Sequence, residues 1–273
     1  METFRRHSIL MASATVLVLF TAVAIFAPLL APNDPNFVDL TQKLQPSSKD
    51  FPIGTDHLGR CQLSRLLFGA RTSLSTAFIV MSITFCISVP IGVFAGYMGG
   101  IIDAWFIRIC DMLMAFPNFL LSLAFVGMLG GPSYGHLILA MVCVQWVFYA
   151  RFVRGMVLSV KERSFVMAAR ICGTSPLKIA IKHIIPTILA SVIVLLFMDI
   201  GGVILSISGL SFLGLGVQPP YAEWGMMIND SKPYFRSHPM LMMYPGVIIF
   251  LVVIAFNLFG ESLRQWLQVE RRY

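Results

Sequence analysis

The chain has 273 residues, 57% of them hydrophobic and only 12% charged, with a formal net charge of +7 and a mean hydropathy of +0.81. Soluble domains carry about a quarter charged residues, so this depletion excludes an ordinary water-solvated globule and makes lipid the solvent. The positive charge is no sign of nucleic-acid binding, because the basic residues stand beside apolar runs instead of alternating with exposed aromatics on a polar domain.

In chain order, Arg5 and Arg6 precede an apolar run from Ser8 to Leu30. A signal peptide begins alike, and Ala22-Val23-Ala24 offers a cleavage site, but a run of roughly 20 apolar residues is span length and not the ~7–15 of a signal core. A retained first helix is expected, ended by Ala31-Pro32-Asn33-Asp34-Pro35 because proline disfavours helix at the residue before it. Residues 32–71 form the longest polar segment. Within it, Asp56 and Arg60 are spaced for an ion pair that fixes a short helix along the membrane surface. His57, beside one carboxylate, reads as a surface or hydrogen-bonded residue before a metal ligand.

Further spans are expected at about Thr72 to Tyr97, Ile109 to Leu129, His136 to Phe152, Ile184 to Ile207 and Leu241 to Gly260. Each is near the ~20 residues that a helix rising about 1.5 Å per residue needs to cross about 30 Å of hydrocarbon. Six crossings return the C-terminus to the side of the N-terminus. On that side stand Arg5, Arg6, Arg108, Arg151, Arg154, Lys161, Arg163, Arg170, Lys178, Lys182, Arg264, Arg271 and Arg272. The opposite side has Lys43, Lys49, Arg60, Arg65, Arg71, Lys232 and Arg236. This excess predicts that both termini and the 151–183 loop are cytoplasmic.

Five scattered cysteines, Cys61, Cys86, Cys110, Cys143 and Cys172, lack metal-finger or redox-motif spacing, which predicts no disulfide framework and no cysteine metal site. The polar, basic stretch Ser164 to Pro186 within the 151–183 loop and its exit is more informative. Ala168-Ala169 lets a partner surface approach closely, Gly173 breaks the helix, and Thr174 or Ser175 can cap a second helix with Pro176 at its first position. The result is a helix, a sharp turn and a second helix leading into the membrane, a shape suited to being gripped and moved.

Ala-Ala, Gly four residues on, and then Ile-Ile-Pro186 resembles the cytoplasmic coupling loop of bacterial ABC importer permeases. The acidic residue that family carries before Ala-Ala is Met167 here, so the resemblance transfers Ala168, Ala169, Gly173 and Pro186 but no acidic contact. Gly54-Thr55-Asp56-His57-Leu58-Gly59-Arg60, the run Leu210 to Gly216, Pro219-Pro220 and Trp224-Gly225 resemble the dipeptide, oligopeptide and nickel branch. That branch usually has Asp where Cys61 stands. Asp199-Ile200-Gly201 with Ala222 to Asp230 is similar to its nickel-type members.

The resemblance implies an all-α polytopic membrane protein with six transmembrane helices, a type I ABC importer transmembrane domain. Residues 1–71 would be a first helix and outer loop, 72–265 the core with its coupling loop at 151–183, and 266–273 a cytoplasmic tail. It further implies a bacterial plasma (inner) membrane location, a second permease subunit forming a heterodimer, two ATPase subunits carrying ATP and Mg, and an extracytoplasmic substrate-binding protein. No cofactor is expected on this chain itself. The cargo would be nickel or a metal chelate, with di- or oligopeptides as the alternative.

Candidate pathway residues are Asp199, Ser206, Ser208, Glu223 and Asp230. Asp199 lies inside a predicted span, where an acid costs on the order of 2.5–3.5 kcal/mol, so it faces either a wet cavity or a partner helix. The small residues from Ser206 to Gly216 fit a flexible gate or close helix packing. Glu223 and Asp230 either pass a divalent cation through weak oxygen contacts, or dock a binding protein or sit solvated. Carboxylates alone would not select nickel. No catalytic residue and no metal site is assigned, since neither paired carboxylates in a span nor a His-Glu-x-x-His cluster occurs. No phosphate-binding Gly-x-x-x-x-Gly-Lys-Ser/Thr loop occurs either, so ATP would be hydrolysed by another subunit. A secondary transporter or channel working without ATPase subunits is the more distant reading, and it would show internal symmetry and more intramembrane charge.

Overall fold

The structure is a computed structural model that describes residues 2–270, with side chains from 8 to 266. Arg5, Arg6, Arg271, Arg272 and most of the 266–273 tail thus lie outside the described side chains. Every regular element among the described residues is helical, and the only extended pairing is a single bridge between Thr55 and Cys61.

Among the described residues five helical segments are long and apolar enough to span: Ser8–Leu30 in α1, Gln62–Met98 (α2), Tyr134–Lys161 (α5), Pro176–Phe212 and Met240–Trp266 in α10. The fourth comprises a short α7 (Pro176–Ile179), a π turn (Ala180–Ile184) and α8 (Ile185–Phe212). The π turn falls where Pro186 has no N–H to give the carbonyl of Lys182, and widening the helix there relieves the clash.

Two expectations change. Helix α2 begins ten residues before Thr72, so residues 62–71 are helix and not polar loop. The apolar run expected as one helix over Ile109–Leu129 is two, α3 (Gly100–Met114) and α4 (Asn118–Met128), bent by 89°. Pro117 stands at the break and bars Phe116 from helical geometry. At about 1.5 Å per residue, α4 alone reaches about half of the hydrocarbon.

The chain forms two compact units. The first comprises Met1–Ile79, Phe125–Ile138 and Phe197–Tyr273. Here α1 packs along α10, and the second half of α8 lies close to α10 because glycines stand at the crossing. A methyl group on Gly201 would sit 3.1 Å from the Val253 carbonyl, and one on Gly260 2.5 Å from the Met198 side chain.

The second unit comprises Val80–Ala124 and Leu139–Leu196. Its core joins Val89 and Val93 of α2 to Val153, Val157 and Val160 of α5 and to Ile179, Ile184 and Ile188 at the root of α8. Gly92 and Gly96 let α5 approach α2: a methyl on Gly92 would lie 2.5 Å from the Ala150 carbonyl. Two ion pairs tie α3 to α5. Arg154 grips Asp103 with both Nε, at 2.7 Å from Oδ1, and Nη2, and Arg151 pairs with Asp111.

Candidate functional site

The segment Ser164–Ile171 (α6) is a two-turn helix ended by a Schellman turn. The Thr174 N–H donates to the Ala169 carbonyl at 3.1 Å, the Gly173 N–H donates to that of Arg170 at 3.0 Å, and Gly173 has φ +75°. Nothing lies within 4 Å of where a Gly173 side chain would start, so backbone conformation and not crowding calls for glycine. Ser175 precedes α7, with Pro176 in its first turn, but the Ser175 hydroxyl makes no capping hydrogen bond.

Buried Val166 and Ile179 anchor this hairpin in the valine core, and the Phe165 and His183 rings lie 6.3 Å apart. Large apolar side chains are exposed on it, Ile171 at 84% and Phe165, Met167 and Leu177 as well, beside exposed Arg163, Arg170 and Lys178. Ala168 is exposed between them and Ala169 half-buried. Exposed apolar side chains on α6, which precedes the span-length segment beginning at Pro176, are of the kind that partner surfaces cover. Pro186 lies at the start of α8, just past the π turn.

The end of the first unit that carries the turn at 54–61 is a polar cluster. Asp56 and Arg60 pair, Nε to Oδ2 at 2.6 Å, on a turn rather than on a surface helix. Arg65 comes within 3.5 Å of the same carboxylate, and Asp230 within 3.4 Å of Arg60. His57 stacks on Tyr234 with ring centroids 5.5 Å apart, and burial holds its imidazole below the usual value despite nearby Asp56.

Glu223 is fully buried and caps α9 (Trp224–Ser231), accepting from the N–H of Gly225 at 3.0 Å, that of Met226 at 2.8 Å and the Ser73 hydroxyl at 3.1 Å. Trp224 lies over Gly69 and donates its indole N–H to the Leu66 carbonyl. The expectation of a solvated or cargo-facing Glu223 is thereby corrected: its oxygens hold backbone. Asp230 remains partly exposed, its side chain at 19%.

The membrane-embedded candidates separate. Asp199 and Ser206, seven residues apart, share one partly exposed face of α8 with exposed Gly202 between them, and the Ser206 hydroxyl donates back to the Gly202 carbonyl at 2.9 Å. Ser208 is buried against Gly225, whose α-carbon could not carry a methyl without meeting Ser208 backbone at 2.3 Å. The sequence reading counted Arg65 and Arg154 only as charges that set orientation and passed over Asp103, so neither the Arg65 contact nor the Asp103–Arg154 pair was expected. Their only sequence signal is a charge at the edge of an apolar run. Among the described residues no three His, Cys, Asp or Glu side chains gather as a metal site would require.

Span-length helices joined to an exposed, glycine-turned hairpin are the features that a transport permease of the expected class would carry. Comparison with known proteins then fixes the family. Residues 88–273 match the model of the binding-protein-dependent transport system inner membrane component, and residues 1–46 that of the N-terminal TM domain of oligopeptide transport permease C. The chain is 38% identical to the nickel transport system permease protein NikC of Escherichia coli over 92% of this chain and 91% of that one. It is 36% identical to the dipeptide transport system permease protein DppC of Alkalihalophilus pseudofirmus, covering 96% and 86%. It is 40% identical to the glutathione transport system permease protein GsiD of Escherichia coli, again covering 96% and 86%.

Among solved structures, an inward-facing MetNI methionine ABC transporter shares the fold, with a TM-score of 0.61 and 19% identity over 74% of this chain and 96% of that one. The chain belongs to the family of binding-protein-dependent transport system inner membrane components, and is a permease subunit of an ABC importer.

Proposed function

We propose that this chain moves nickel or a small metal chelate inward by alternating access, coupled through Ala168, Ala169 and Gly173 to two ATPase subunits that hold ATP and Mg. A second, similar permease subunit lines the other side of the path, and an extracytoplasmic binding protein delivers the cargo. Both termini and the α6–α7 hairpin face the cytoplasm, as the excess of lysine and arginine there favours. The observation that carries this reading is the hairpin itself: buried at its root through Val166 and Ile179, exposing Phe165, Met167, Ile171 and Leu177, and turned by a glycine with φ +75°. ATP drives the change because it binds the closed ATPase pair more tightly than the open one, and a ligand shifts an equilibrium only by such a difference.

Asp199 and Ser206 are the pathway candidates, on the partly exposed face of α8. Buried Ser208 and Glu223 leave that role. Asp230 serves the outer cluster. The nickel assignment rests on the similarity of Asp199-Ile200-Gly201 and Ala222 to Asp230 to nickel-type permeases. Dipeptide and glutathione permeases are about as similar in overall identity, so peptide is the second reading. The binding protein produced alongside the chain discriminates: retention of nickel supports the first, retention of a peptide the second.

Coupling is tested on the hairpin. Gly173→Pro and Ala169→Glu are expected to insert normally and to lose at least about tenfold in ATP-driven uptake, whereas Gly173→Asn, which tolerates positive φ, keeps most of it. Normal uptake by the proline or glutamate variant would remove the role assigned to the loop.

A further inference from the structure

A groove of about 510 Å³ runs between the last turns of α2 and the α7–α8 root, wholly within the second compact unit. Val93, Phe94 and Tyr97 form one wall, and Leu177, Ala180 and Ile181 the other. Apart from the Tyr97 hydroxyl, the lining side chains are apolar. The groove is open to its surroundings, with Phe94, Leu177 and Ile181 more than half exposed. Its second wall follows the π turn, a widening that recurs in helices at functional sites.

The rim is basic. Lys178 and Lys182 each follow a wall residue, Leu177 and Ile181, and stand one turn apart in a row beside the groove. On the other side the Arg170 guanidinium lies 5.8 Å from the Tyr97 ring, and the Lys161 ammonium donates to the Gly96 carbonyl at 3.0 Å. The 151–183 segment holds seven lysines and arginines but one carboxylate, Glu162. Asp103 and Asp111 engage Arg154 and Arg151, and among the described residues no carboxylate pairs with Lys178, Lys182 or Arg170.

An apolar slot with a row of cations at its mouth, at the end of a span, matches a phospholipid end to end. We infer that this groove is a specific site for an anionic phospholipid, with an acyl chain between Phe94 and Ile181 and the phosphate against Lys178 and Lys182. That the lipid comes from the cytoplasmic leaflet rests on the orientation proposed above. The anionic character of that leaflet complements the rim. The bound lipid links α2 to the root of the coupling hairpin, so ATP-driven uptake depends on the lipid as well as on the ATPase.

The test is native mass spectrometry of the assembled transporter, extracted after reconstitution in equal mixtures of phosphatidylglycerol and phosphatidylcholine. Phosphatidylglycerol is expected to be retained selectively. Each lysine near an anionic surface contributes about fivefold in affinity, so Lys178→Gln with Lys182→Gln should lower the retained phosphatidylglycerol by about 25-fold, while the double arginine variant keeps it. Equal retention of both lipids, an unchanged double glutamine variant, or a protein segment occupying the groove in the assembled complex overturns the site. Co-purification of an ATPase is scored on the same preparations. Its absence counts against the transport reading, whereas lipid selectivity is read from this chain with or without it.

Discussion

Glu223 is a carboxylate sealed from water, and three donors converge on it. Burial pushes its carboxyl above the ordinary value of 4.5, with the donated hydrogen bonds pulling it back. A raised folded-state value means that the stability it contributes is complete below about pH 4.5 and is lost as the pH rises through the folded value. Thermal unfolding of the detergent-extracted protein should therefore show a decline with rising pH that Glu223→Gln flattens. An unaltered slope in that variant would show that another group sets it. Glu223→Ala leaves buried donors unpaired and should cost roughly 1–3 kcal/mol.

Asp56→Asn is expected to be more severe, roughly 3–5 kcal/mol, because it leaves Arg60 and Arg65 buried together without their shared carboxylate. Denaturation midpoints measure it, and a loss below 1 kcal/mol, about the worth of a surface pair, would show the cluster to be solvated. The Asp56–Arg60 pair was legible because its partners are four residues apart. Arg65 and Asp230 were not, since neither the early start of α2 nor the return of the 222–232 segment to this turn is written in local spacing. Glu223 likewise reads as loop polarity until the fold buries it as the cap of α9.

At the scale of elements, Gly92 and Gly96 bring the α2 and α5 backbones together. Gly92→Val should force them apart, costing about 1–3 kcal/mol of overpacking. Thermal unfolding beside Gly155→Ala, where a methyl meets open space, isolates the effect, and equal midpoints would place the contact outside the stable core. Hydropathy located the spanning helices because twenty apolar residues in lipid have few alternatives to helix. The same averaging hid the break at Pro117, since apolar content is continuous through it, and it hid the first turns of α2, where Arg65 is buried against Asp56 and the Pro35 carbonyl. The α6–α7 hairpin was the most legible element: Gly173 and Pro176 each dictate local backbone, independent of distant contacts.

For the whole molecule, orientation is open to direct measurement through a native thiol. Cys172 is exposed on the hairpin, Cys61 and Cys110 are buried, and exposed Cys86 and Cys143 lie within spans. A membrane-impermeant maleimide should label Cys172 in inverted vesicles stripped of peripheral proteins and leave intact cells unlabelled. Labelling from the outside would reverse the topology and detach the hairpin from any ATP-driven partner.

The outer cluster also bears on how such a polypeptide is made. Arg60 meets Asp56 within one turn of being synthesised, but its second anion, Asp230, is 170 residues further on and arrives after α8 has been threaded. Until then two guanidinium groups share a single counter-charge, and Ser73 waits for Glu223 in the same way. A prematurely terminated copy thus carries an unmatched positive lock, and only the full-length product brings the key.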